Sequence, residues 1–334
     1  MRARQRLVRR TVGLIGAKAI QRELEESAGA NAQIPSRATV YRILAERGVT
    51  GDAPAAEPYF PQPRPQAHYD VQQMDWTARY LEGGEQVFAF HTISLTTRAM
   101  YQTIATDKST PTVRHHLLQS WQNRGVPAGL QMDNDAAFCG GYTVQRVFGA
   151  CVRLCLYVGV EPIFIPVREA KRNSVVERLN GLWAQSFWKR NRFRSLAHVR
   201  RLQPRFSRWY AATYLSRRSQ DPTPSRSLTE EDLALIPAHL PITAGRVHFL
   251  RRVEADGTIT LLNERWRVGR PWAGQYVWAT VVTHDQRLRI YYRASTHAAV
   301  HLLKEFKYAI HEPVLPLNDR FRQTLRRRKM DTML

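Results

Sequence analysis

Three acidic residues stand where a metal-dependent phosphoryl transfer would want them. Asp75 interrupts the β-rich run "YDVQQMDWTARYL", Asp133 closes the run "GLQMD", and Glu177 lies within "NSVVERLN". An acid set between Met74 and Trp76 carries a burial penalty that a bound cation would relieve. Two or three such carboxylates can hold two Mg²⁺ ions, which activate an attacking oxygen and stabilise a departing one. A chain of this length offers many acid triples, so residue type alone decides little. Two other readings stay open: Ser174 and Glu177 fit an S-x-x-E capping box, and Glu169, eight residues earlier, is a rival third acid.

The elements that must position these acids follow from periodicity. "YDVQQMDWTARYL", "EQVFAFHTISL" and "RAMYQTIAT" are successive strand-like runs with short turns, which predicts an antiparallel meander. A helix over about 111–124, a strand ending in "GLQMD", a longer helix over about 142–158, a strand "EPIFIP" and a long helix from 174 complete an α/β pattern. Three antiparallel strands followed by alternating α and β describe a mixed sheet with helices on its faces. Asp75 then sits mid-strand, Asp133 at a strand's C-terminal end, and Glu177 near a helix start. Along that helix Val176, Leu179, Trp183 and Phe187 form a core stripe that leaves Glu177, Asn180, Gly181 and Ala184 on the adjoining face. Asp135 reads as a turn residue.

Charge shows where a partner would sit. The 334 residues carry a net charge of +22 with 43% hydrophobic and 23% charged residues, a balance that fits a globular protein with a polyanionic partner. Residues 166–220 hold 14 cations against two acids, so over half the excess surrounds Glu177. No stretch reaches the roughly 20 apolar residues of a membrane helix, and the basic N-terminus lacks the apolar run of a secretory signal. A cytoplasmic, nucleoid-associated protein without membrane contact is expected. Cys139, Cys151 and Cys155 are odd in number and contain no CxxC, so they read as small core residues rather than zinc ligands.

Flanking segments divide the chain further. Residues 1–50 contain two short helices around a turn, the second starting at Ser36 and stopping at Gly48. In it Val40, Ile43 and Leu44 face a core, while Arg37, Tyr41 and Arg42 point outward. This is a helix-turn-helix pattern for a DNA major groove. Prolines 54, 58, 61, 63 and 65 mark a linker over 51–68. A second linker covers 219–242. Regularly spaced short strands with a tight Asp256-Gly257 turn predict a small β-barrel over 243–296, and a basic tail occupies 297–334.

In order and context, "QMDWT", "QMDND" and "NSVVERLN" resemble the three catalytic segments of the DDE transposase and retroviral-type integrase superfamily. The resemblance covers residues 69 to about 215, and the flanks are similar to those of bacterial insertion-sequence transposases. It implies an RNase H-like five-stranded mixed sheet over 69–218. It further implies Asp75, Asp133 and Glu177 as ligands of two Mg²⁺ or Mn²⁺ ions, metal-dependent DNA cleavage and strand transfer, and a homo-oligomer on paired DNA ends. A catalytically inactive DNA-binding relic and an RNase H-like nuclease without strand joining are the alternatives. Asp75 to Asp133 spans 58 positions, usual for the family. Asp133 to Glu177 spans 44, whereas Glu169 at 36 has the familiar spacing; "VVERLN" favours Glu177 by context. Where retroviral integrases place DNA-gripping lysines on the glutamate helix, this chain has Gly181 and Ala184. Its cations lie instead at Lys171, Arg172, Arg178, Lys189, Arg190, Arg192 and Arg194, expected as phosphate contacts. Trp183 and Trp188 are candidates for base stacking, with core packing the favoured role for Trp183.

Overall fold

The computed structural model describes residues 2–8, 16–29, 32–47, 57–65, 70–140, 146–215 and 226–324. The chain forms two compact units, Met1–Pro58 and Tyr59–Leu334.

The described residues of the first unit form three helices, α1 (Arg2–Val8), α2 (Ala17–Ser27) and α3 (Arg37–Glu46), around Ala3, Leu7, Ile20, Val40 and Leu44. α3 starts at the expected cap, where Ser36 Oγ accepts from the Thr39 amide at 3.2 Å and satisfies an orphan donor. α1 is hard to read from sequence, because among residues 2–7 only Ala3 and Leu7 are buried. Ile43 does not join the core as expected but is exposed. Arg37, Tyr41 and Arg42 do face solvent, with Arg42 3.8 Å from Glu46. Gly48, the expected helix stop, lies outside the described residues.

The second unit runs β1 (Val71–Tyr80), β2 (Gln86–Ser94), β3 (Met100–Ala105), α4 (Thr110–Arg124), β4 (Gly129–Met132), α5 (Ala136–Cys139), α6 (Ala150–Tyr157), β5 (Glu161–Phe164), α7 (Ser174–Ser186), α8 (Leu196–Tyr210) and α9 (Glu230–Ala234). Then come β6 (Ile242–Thr243), β7 (Arg246–Arg252), β8 (Thr258–Leu261), β9 (Glu264–Arg267), β10 (Tyr276–Val282), β11 (Arg287–Tyr292), β12 (His301–Lys307) and β13 (Val314–Leu315). β1, β2 and β3 form the expected meander, and β4 and β5 add in parallel beside β1. One face of this sheet is covered by α4 and α6, with Trp121, Phe138 and all three cysteines buried. On the other, α7 and α8 lay Val176, Trp183, Phe187 and Phe206 over Val87, Ala89 and Ile104.

The sheet does not stop at five strands. Its order is β12-β11-β10-β7-β5-β4-β1-β2-β3. β7 pairs parallel with β5, placing Ile163 opposite His248 and Phe164 opposite Phe249. Of the strands expected as a separate barrel, β7, β10 and β11 therefore continue the sheet, while β8 pairs with β9 and β6 with β13. These strands bury Val247, Phe249, Val277 and Ile290 in the shared core, and at the β5–β7 seam stands Glu161, a buried acid whose charge needs partners. Strand β7 supplies them: Arg246 Nε donates to Glu161 at 2.8 Å, and His248 Nε2 stands 3.4 Å away. Trp278 Nε1 donates to His248 Nδ1 at 2.9 Å, which leaves the ring proton on the nitrogen facing Glu161. The β8–β9 hairpin packs Trp266 on Phe306 and Tyr308.

Other departures have local reasons. The expected helix over 142–158 begins only at Ala150, because the backbones of Gly140 and Gly149 meet so closely that a Cβ on Gly149 would lie 2.5 Å from Gly140 Cα. Within the first expected linker, Phe60 packs edge-on against Tyr276 with centroids 5.2 Å apart. Within the second, the Arg226 and Trp121 carbonyls accept from the Val126 and Leu228 amides, and buried Asp232 pairs with Arg226 and Arg320. In the tail Tyr308 and Phe321 are buried, whereas the basic run 325–329 lies outside the described residues. Among the described residues no helix is long and apolar enough to cross a membrane.

Candidate active site

β1 and α7 are locked together by amide side chains. Gln73 is buried on β1, and its Oε1 accepts from the backbone amides of Val175 and Val176 at 3.0 and 3.1 Å. Asn173 Nδ2 donates to the Met74 carbonyl at 3.1 Å, and Gln131 Nε2 from β4 donates to the Arg172 carbonyl at 2.9 Å. The helix start is thus capped from the sheet, with Asn173 as N-cap residue. The Ser174–Glu177 capping box does not form. Glu177 is left exposed, with no hydrogen-bond partner among the described residues.

That capping places Glu177 beside the other two acids. Asp75, Asp133 and Glu177 line one open hollow of about 420 Å³, together with Arg79, Asn180 and Gly181. Burial pushes the Asp75 carboxyl up to about 7, reinforced by the charges of Glu177 and then Asp133 against hydrogen bonds from Trp76 and Asn180. Asp133 is raised by burial and by the Asp135 charge, against the Asp135 amide and Lys108, and Glu177, although its surface is exposed, is raised by partial desolvation and by Asp133. Burial is the main cause in all three, and of the three only Asp133 has a cation, Lys108, lowering it. Among the described residues no three His, Cys, Asp or Glu side chains converge tightly enough to cage one ion. The acids share a hollow rather than a closed cluster. Hard carboxylate oxygens are a donor set that suits Mg²⁺ or Mn²⁺.

Glu169 is elsewhere and engaged. Its carboxylate accepts from Arg172 Nε at 3.0 Å and from the Tyr276 hydroxyl at 2.7 Å. Arg172, an expected phosphate contact, also stacks over Phe60, 4.3 Å from its centroid, and joins three segments. Asp135 caps α5, accepting from the Ala137 amide at 2.9 Å.

Several supporting residues carry no motif. Lys108 bridges to Asp135 at 2.7 Å and lies 4.1 Å over the Trp76 ring, next to the acids. Arg251 of β7 donates to Ile165 O and Asn134 Oδ1 at 2.9 and 2.7 Å, bracing the turn that bears Asp133. His91 on β2 is the cross-strand partner of Asp75. None of the three has a signal in sequence, since each acts across a long chain separation.

The remaining cations are solvent-facing: Lys171, Arg178, Lys189, Arg190, Arg192 and Arg194 are exposed, with Arg194 3.5 Å from Glu82. Arg201, Arg205 and Arg208 add an exposed row on α8, legible as cations at i, i+4 and i+7. Trp183 is fully buried and Trp188 half-buried against Phe193.

No family model and no curated protein matches this chain. Solved structures that resemble it include the HTLV-2 integrase catalytic core in complex with magnesium, in its trimeric form, at 14% identity and a TM-score of 0.32, covering 46% of this chain and 90% of that one. A simian T-cell lymphotropic virus intasome in complex with a PP2A regulatory subunit aligns over 89% of this chain and 96% of its own, at 12% identity and a TM-score of 0.37. The BIV integrase catalytic core covers 47% and 88%, at 15% identity and a TM-score of 0.31. Likenesses of this strength decide neither chemistry nor fold, which rest on the residues themselves.

Proposed function

We propose that the chain is a DDE-type polynucleotidyl transferase of the insertion-sequence transposase kind, cutting DNA strands and joining them to a target. One observation carries this reading: Asp75, Asp133 and Glu177, the acids of the three resembling segments, line one hollow. The reaction is an in-line attack of water or a 3′-hydroxyl on a phosphodiester.

Asp75, Asp133 and Glu177 would hold two Mg²⁺ or Mn²⁺ ions. When bound, such ions lower the pKa of the attacking oxygen and stabilise charge on the leaving one. The protein's own groups do the positioning. Asn180 donates to Asp75 Oδ2 at 2.7 Å, fixing that carboxylate's orientation. Arg79 lines the hollow as a positive group for a scissile phosphate. Lys171, Arg178, Lys189, Arg190, Arg192, Arg194 and the α8 arginines hold flanking phosphates, whose neutralisation releases counterions. Arg37, Tyr41 and Arg42 on α3 read element ends as the second helix of a helix-turn-helix. The working unit is a homo-oligomer on paired ends.

A strand-transfer assay tests this, using labelled duplexes from any inverted repeats that flank the gene and supercoiled target DNA with Mg²⁺ or Mn²⁺. Joined products are expected from wild type and none from Asp133→Asn, with DNA affinity unchanged. Cleavage without joining would leave a nuclease, and DNA binding without either a relic.

A further inference from the structure

A second hollow of about 620 Å³ lies against α7, lined by Arg98, Arg178, Leu182, Tyr210 and Tyr214. It shares Gly181 with the carboxylate hollow. Its chemistry differs: two guanidinium groups, two phenol rings and an aliphatic wall in place of acids. Tyr210 and Tyr214 have ring centroids 5.1 Å apart, and Tyr214 is 43% exposed. The Tyr210 hydroxyl donates to the Arg98 carbonyl at 3.1 Å, holding the Arg98 backbone beside the rings. Arg98 keeps a left-handed φ of 64°, a conformation that favours glycine.

The saddle between the hollows is the clue to what occupies them. The exposed ridge of α7 consists of Ser174, Glu177, Arg178, Gly181 and Gln185, and only Gly181 lacks a side chain. Packing does not require a glycine there, because an added Cβ would meet nothing within 4 Å. A glycine inside a helix destabilises it relative to alanine. A glycine that packing does not require, placed between two hollows, leaves a passage for a chain crossing the helix.

We propose that a DNA strand crosses α7 at Gly181, and that the second hollow takes one unpaired nucleotide of it. The base lies against Tyr214 and Leu182, and its phosphate meets Arg178 and Arg98. Aromatic faces accept any base, and guanidinium groups match phosphate geometry. This rests on the reading of the carboxylate hollow as a DNA site, although the hollow's own residues and the absence of a side chain at 181 argue for a single strand rather than a duplex.

The test is equilibrium binding without divalent ions, so that it stands apart from strand joining. The probes are a blunt hairpin duplex and the same hairpin with a three-nucleotide single-stranded overhang containing 2-aminopurine. Wild type is expected to bind the overhang probe at least ~10-fold tighter than the blunt one, with quenched fluorescence as the base stacks. Gly181→Leu should abolish that preference while raising Tm by about 2 °C, since it replaces a helix glycine by a good helix former facing open space. Tyr214→Ala and Arg178→Ala should abolish it too. A Gly181→Leu protein that folds and keeps both the preference and the quenching overturns the inference, as does equal affinity of wild type for the two probes. Strand joining by a wild type without the preference would sink this inference alone. The preference without joining would sink the transposase reading and leave the nucleotide site standing.

Discussion

Asn180 on α7 joins Asp75 to His91: its Nδ2 donates to Asp75 Oδ2 at 2.7 Å, and its Oδ1 lies 2.7 Å from His91 Nδ1. The amide therefore accepts from His91, which must carry its proton on Nδ1. Burial pushes the His91 ring down to about 4, so it is neutral at physiological pH. A carboxylate, an amide and an imidazole from β1, α7 and β2 thus form one connected unit, with the acid at its open end.

The first prediction concerns stability against pH. Asp75 titrates near 7 in the fold against an ordinary 3.8. The folded protein therefore binds the extra proton between those values. Its contribution is present below about pH 4 and is lost as pH rises through 7. In metal-free protein at pH 8, Asp75→Asn should raise stability, by at most about 4 kcal/mol. At pH 4 the gain should vanish. Mg²⁺ should stabilise wild type and not the variant. Thermal melts at the two pH values, with and without Mg²⁺, check this; a variant less stable than wild type at pH 8 would contradict it.

The two rival glutamates should separate by what they damage. Glu177→Gln removes an exposed group that holds nothing in place, so folding is kept and strand transfer is lost. Glu169→Gln weakens the contacts to Arg172 and Tyr276, so Tm falls by a few degrees while most strand transfer survives. Parallel melts and joining assays decide between them.

Gln73 should behave as a capping residue supplied from a distant strand. Gln73→Leu leaves the Val175 and Val176 amides without their acceptor, at a cost of about 1–2 kcal/mol. Strand transfer should drop by more than DNA affinity does, because the cap fixes where Glu177 lies. Urea denaturation and filter binding measure the two effects.

The seam between β5 and β7 should be weakened by removal of its acid. Glu161→Leu strands Arg246 in a largely buried position, and breaking such a pair costs about 3–5 kcal/mol. A urea midpoint unchanged from wild type would show that the pairing does not hold the sheet together.

Salt dependence should report the phosphate contacts. Replacing Lys189, Arg190 and Arg192 together by alanine should lower the slope of log affinity against log salt by about 2–3, and to the same degree for any DNA sequence. An unchanged slope would remove these residues from the interface.

Much was legible in sequence because it is local. Alternating apolar residues define β1 to β3, a serine at 36 caps α3, and the stripe Val176, Leu179, Trp183 and Phe187 orients α7. Each depends on neighbours a few positions away. The three acids could be picked out because the residues around them form recognisable segments. Their rank order was less legible, since spacing favoured Glu169 and context Glu177.

What only the tertiary structure decided involves groups distant in the chain. The side chain that caps α7 comes from Gln73, a hundred residues upstream, which frees Glu177 from the role its own segment suggests. Glu169 is consumed by Tyr276, and the C-terminal strands join the sheet, where buried Glu161 finds Arg246 and His248. Sequence by itself determined periodicity, charge and the identity of the acids, because those are properties of adjacent residues. Which acids meet, and which polar groups satisfy them, was decided by burial, which obliges each charge and amide to find a partner wherever the fold brings one.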